Sequence, residues 1–178
     1  MNLSKRFPNK NMTDNKADCE KASLECLKEN YSEIQEKYGL SSFDELNEDF
    51  QIEKLSEAET DFLIREIRKF ITEKFSNYLR FIETILNPVN AQFFVFSVIK
   101  TLGTAEKEKF NEIYKKLAKK EVEVIELDIQ FSEEKEAEFV KSSCELWKSL
   151  KTDLLEIVDV IKKNWDVKLE SNGKRYFD

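Results

Sequence analysis

Apolar residues recur along most of this chain at spacings of three and four, the period that gathers side chains onto one stripe of an α-helix. Leu24, Leu27, Tyr31, Ile34 and Tyr38 form the first stripe. They predict a helix from Lys16 to Tyr38, capped by Thr13 or Asp14 and stopped by Gly39, which takes the left-handed conformation at little cost. Ser42 followed by Glu45 resembles a capping box, so a short helical turn with Phe43 and Leu46 facing inward is expected, with Phe50 and Ile52 anchoring the connector. The broadest stripe comprises Ile64, Ile67, Ile71, Phe75, Tyr78, Ile82 and Ile85, widened by Leu63, Phe70, Leu79, Phe81 and Leu86. A capping box at Ser56 and Glu59 and a stop at Pro88 predict a helix of roughly 30 residues, about 45 Å long. Apolar on so much of its surface, it is expected to be central.

Asn87-Pro88 reads as the start of a third helix holding Phe93, Phe94, Phe96, Val98, Ile99 and Leu102, ended by Gly103. The phenylalanines are expected in the core. Thr104 can cap a fourth helix through about Lys120, with Phe110, Ile113, Tyr114 and Leu117 inward. Its early acids and late lysines complement the helix dipole. The segment 121–131 alternates apolar and acidic residues with a break at Ile125, so an extended stretch over Leu127–Phe131 is expected; a helical reading instead gives a stripe at Val122, Ile125 and Ile129. Ser132 caps the last long helix, whose inward side is Val140, Cys144, Trp147, Leu150, Leu154, Ile157, Val158, Ile161 and Trp165. Asn172-Gly173 between short alternating segments is a hairpin signal.

The fold class is therefore mainly α: an elongated antiparallel helical bundle of four to five helices with a small C-terminal β-hairpin. Residues 1–13, which carry Lys5, Arg6 and Lys10 without apolar periodicity, are expected to be a disordered tail; 14–165 the bundle domain; and 166–178 the hairpin appendage.

Composition narrows the chemistry. The 178 residues contain no histidine, which removes Ser-His-Asp and Cys-His sites and the usual base near neutral pH. Three scattered glycines cannot build a phosphate cradle. Cys19, Cys26 and Cys144 are odd in number and irregularly spaced, so reduced thiols are expected rather than a disulfide framework or a zinc site. The opening residues lack the apolar core of a secretory signal, and the most apolar run, Phe93–Ile99, is too short to span a bilayer. A cytoplasmic protein without a membrane partner is the expectation. The net charge of −7 works against nucleic-acid binding; Lys174-Arg175-Tyr176-Phe177 is the basic-aromatic cluster that would serve it.

One acidic constellation stands out. Glu133 and Glu136 are three apart, as are Glu156 and Asp159. This ExxE…ExxD spacing resembles that of all-α nucleotide pyrophosphohydrolases of the MazG type, in which such pairs on facing helices bind Mg²⁺. The resemblance covers about 27 residues of this chain and implies a metal-dependent nucleotide hydrolase with those four carboxylates as ligands. It requires a helix break near Ser142-Ser143, because in a continuous helix Glu136 and Glu156 lie about 30 Å apart.

The leading expectation is a non-enzymatic interaction or scaffold module, with no cofactor, acting through apolar helix faces as a homodimer or on another helical protein. The Mg²⁺-dependent pyrophosphohydrolase and a nucleic-acid-binding protein are the alternatives.

Overall fold

A computed structural model describes residues 13–57, 60–89 and 91–173. Those residues are mainly α-helical: α1 (Thr13–Tyr38), α2 (Phe43–Phe50), a 3-10 helix (Ile52–Glu57), α3 (Leu63–Leu86), α4 (Phe93–Thr101), α5 (Thr104–Ile129) and α6 (Glu133–Gly173). They fall into two compact units divided between Leu63 and Ile64.

In the first unit, α1 ends at Gly39, whose φ of 64° is the left-handed stop anticipated from its type. Leu27 and Tyr31 are buried on the expected stripe. Tyr31 donates its hydroxyl to the Ser41 carbonyl at 2.6 Å and meets the Phe43 ring edge-on at 5.5 Å, which ties α1 to the start of α2. Ser42 caps α2, accepting the Glu45 N–H. Leu46, Phe50, Ile52 and Leu55 complete this core. The capping box expected at Ser56 and Glu59 does not open the long helix: Ser56 lies in the 3-10 turn and α3 begins at Leu63.

In the second unit, α5 and α6 run antiparallel, joined by a short connection and cross-linked by Glu126–Lys135, Lys120–Ser142 and Lys109–Glu156. Helix α3 is antiparallel to α5, through Arg68–Asp128, Ser76–Glu121 and the Phe81–Phe110 ring pair. Against α6, Phe75 and Tyr78 meet Trp147 with ring centroids 6.2 and 5.3 Å apart. Six of the seven α3 stripe residues are buried and Tyr78 is half-buried, so the central position expected for this helix holds within its unit.

Three expectations need correction. The segment 121–131 is not extended: α5 continues to Ile129, because Val124 and Leu127 prolong the stripe of Ile113, Leu117 and Lys120 and are buried with it. The last helix is longer than expected. Residues 166–173 are helical, where one arm of a hairpin was expected; the other arm, 174–178, lies outside the described residues. Phe93, Phe94 and Phe96 are not core residues but exposed ones. The tail expected over 1–13 lies, Thr13 apart, outside the described residues as well.

Candidate functional site

Among the described residues, helix α4 carries three exposed phenylalanines. Its inner face is held by buried Val98 and Thr101, and Asn164 of α6 donates to the Thr101 carbonyl at 2.9 Å. Its first turn faces solvent: Phe93 is 81% exposed, Phe94 57% and Phe96 42%, with exposed Val89 just before them. The Phe94 ring lies 5.9 Å from that of half-buried Trp165. The three phenylalanines alone offer on the order of 350 Å² of apolar surface, the size of the largest patch on a typical monomer, which is often functional. Sequence reasoning missed this surface, since a Phe-rich helix reads as core until its neighbours are known.

Helix α5 carries a second apolar face. Val122, Ile125 and Ile129 are 65%, 59% and 82% exposed, and half-buried Ala118 extends the row toward the N-terminus. At 3.6 residues per turn this row lies roughly 140° round the helix from the buried one. It is the stripe that the helical reading of the segment identified, turned outward rather than inward.

Between α5 and α6 runs a groove of about 550 Å³, lined by Lys116, Lys119, Lys120 and Lys135 together with Glu123, Glu126 and Glu138. Lys120 bridges Glu123 at 2.5 Å and Ser142 at 2.9 Å, and Lys135 pairs with Glu126 at 2.8 Å. Lys135 holds the Glu126 carboxyl below its ordinary range. Mutual pairing leaves the groove mixed in sign rather than a basic track for nucleic acid.

The four acidic residues of the hydrolase resemblance do not come together. Helix α6 is unbroken across Ser142-Ser143, so Glu136 and Glu156 remain about 30 Å apart along its axis. Glu133 is half-buried in the first turn, and Asp159 is exposed. Exposed Glu156 pairs with Lys109, which keeps that lysine protonated above its ordinary range. Glu136 is fully buried against Arg68, with Arg65 Nε 3.7 Å away. Among the described residues no cluster of three or more histidine, cysteine or acidic side chains could hold a metal ion. No described helix is long and apolar enough to cross a membrane. Neither Cys26, which is exposed, nor Cys144, which is buried, is in a disulfide. The basic-aromatic cluster at 174–177 lies outside the described residues.

Comparison with protein-family models, with curated proteins and with solved structures gave no match.

Proposed function

We propose that this chain is a protein–protein interaction or scaffold module without catalytic chemistry, built as an antiparallel helical bundle and working through outward apolar helix faces in a reducing, cytoplasmic setting. The observation that carries the reading is the aromatic surface of α4. Phe93 and Phe94 sit on a helix whose other face is anchored by Val98, Thr101 and Asn164, so the rings are held out on a rigid support rather than on a loose segment. Large aromatic residues on rigid elements supply contact area at low entropic cost and dominate the energetics of interfaces. A helical partner that seats an apolar stripe on this face fits its chemistry.

The test is a comparison of the wild-type chain with the double variant Phe93→Ser/Phe94→Ser. Both should give the same circular dichroism spectrum and melting temperature. Affinity capture from an extract of the source cells should retain a protein on the wild type that the variant does not hold. Identical retention by the two chains would reject the reading.

A further inference from the structure

We propose that the outward face of α5 is a self-association seam, in which α5 pairs antiparallel with α5 of a second copy about a two-fold axis passing between Val122 and Ile125. This rests on the reading of the chain as an interaction module, and it names a different helix and a specific partner.

The spacing of the exposed row carries the first part of the argument. Ala118, Val122, Ile125 and Ile129 are separated by four, three and four residues. That is the seam of a two-helix coiled coil, with Val122 and Ile129 at a positions and Ala118 and Ile125 at d positions. The buried stripe of the same helix, through Phe110, Ile113, Leu117, Val124 and Leu127, is already used against its own chain. A helix with a single core-facing side has no use for a second heptad row of aliphatics.

The occupant follows from what the row would meet. An antiparallel two-fold pairs each a residue with a d residue. Val122 then faces Ile125 of the second copy, and Ala118 faces Ile129. The smallest side chain of the row opposes the most exposed one, which is how a packed layer interdigitates. The flanks agree. Two identical helices running antiparallel set each flank against itself in reverse, so Lys119 at e meets Glu126 at e of the second copy, twice over by symmetry, and Glu126 is shared there with Lys135 of its own chain at 2.8 Å. The opposite flank sets Glu121, which accepts from Ser76, against Asp128, whose charge is offset by Arg68 of its own chain at 2.8 Å. A parallel pairing is poorer in charge, because it sets Glu121 at g against Glu126 at e and faces Lys119 with Tyr114 rather than with an acid. Lys115 and Asn111, one heptad earlier, end the apolar row, so the seam is four layers long. It therefore gives a weak, concentration-dependent dimer in the micromolar range rather than an obligate one.

The experiment is sedimentation equilibrium of the full chain across concentration, with five variants. Wild type should pass from monomer to dimer. Ile125→Glu, at an exposed position the fold tolerates, should raise the dimer dissociation constant by about 100-fold or more, since two buried isoleucines are lost per dimer. Lys119→Glu and Glu126→Lys should each weaken it by roughly 5- to 10-fold, and the double exchange Lys119→Glu/Glu126→Lys should return it to within about 3-fold of wild type. A parallel seam predicts the reverse for Glu126→Lys, namely a tighter dimer, and that result would overturn the proposal. So would a wild type that stays monomeric at every concentration. A dimer that survives Ile125→Glu but is lost in Phe93→Ser/Phe94→Ser would also overturn it, while leaving the interaction-module reading intact on α4.

Discussion

Glu136 Oε2 lies 2.6 Å from Arg68 Nε, with the carboxylate fully buried and the guanidinium nearly so. Arg65 Nε lies 3.7 Å from the other carboxylate oxygen, so Glu136 sits between two guanidinium groups. Arg68 also reaches Asp128 on α5 at 2.8 Å, and Arg65 stacks its guanidinium 4.0 Å from the Phe131 ring. One ionic cluster thus joins α3, α5, the α5–α6 connection and α6. Removing one member of a buried pair strands the other charge, which costs about 3–5 kcal/mol. Glu136→Ala should destabilise the chain by that amount in urea denaturation. Glu136→Leu combined with Arg68→Met should recover most of the loss, because a packed apolar pair needs no desolvation of charge. If the double replacement is no more stable than Glu136→Ala, the cluster contributes more than its burial cost implies.

The same carboxylate gives a pH dependence of unusual sign. Burial pushes the Glu136 carboxyl above its ordinary value, against the pull of Arg68 and Arg65. Between the unfolded value and the raised folded one, the native state binds more protons than the unfolded state. Stability from this group therefore falls as pH rises through that window and is recovered as pH drops. Glu126, held low by Lys135, works in the opposite direction: its contribution is lost on acidification through the depressed value. Unfolding free energies of wild type and Glu136→Gln, measured from pH 4 to 7, should diverge with rising pH, the wild type losing ground. Parallel curves would mean that the carboxyl titrates as it does in the unfolded chain.

Most helices could be read from spacing because each buries one stripe. The isoleucine row of α3 and the row from Val140 to Ile157 on α6 are buried as their period requires, whereas Val158, expected inward, is exposed and Ile161 and Trp165 are half-buried. The failures share a physical cause. In 121–129, α5 carries two apolar rows, at Val124/Leu127 and at Val122/Ile125/Ile129, with acids between them. Two helical stripes interleaved with charge mimic the alternation of a strand. The phenylalanines of α4 read as core from their helix-internal apolar positions, but burial depends on what packs against a helix, which no local pattern specifies. The acidic pairs of α6 were legible as spacing only. Their separation follows from one continuous helix, as the stripe from Val140 onward already indicates, whereas the arginines of α3 that meet Glu136 lie in tertiary structure.

Backbone conformation yields a pair of opposed predictions. Gly39 and Gln51 both stand in the left-handed region, with φ of 64° and 55°. Gln51 does so as the C-cap of α2, its N–H donating to the Asn47 carbonyl at 2.8 Å. A side chain there costs about 1 kcal/mol that glycine avoids. Gln51→Gly should therefore stabilise the first unit by about 0.5 kcal/mol, reduced by loss of the exposed Lys54–Gln51 side-chain contact. Gly39→Ala should destabilise it by about 1 kcal/mol through its positive φ, since a methyl group there meets no neighbouring atom within 4 Å. Thermal melts of the two variants should move in opposite directions.

The strand and helix descriptions of 121–129 are separated by two substitutions of the same chemistry. A strand places Val122 and Val124 on one face, so truncating either would have a similar effect. In α5 they lie on different faces: Val124 is buried beside Leu127, and Val122 is on the outward row. Val124→Ala removes two packed methyl groups and should cost about 1.5–3 kcal/mol. Val122→Ala removes little buried surface and gains helix propensity, so it should change the stability of the monomer by less than about 0.5 kcal/mol. Urea denaturation at a concentration too dilute for self-association measures both. Near-equal losses would return the segment to an extended conformation, and the α5 seam, which depends on the helical phase of the same residues, would fall with it.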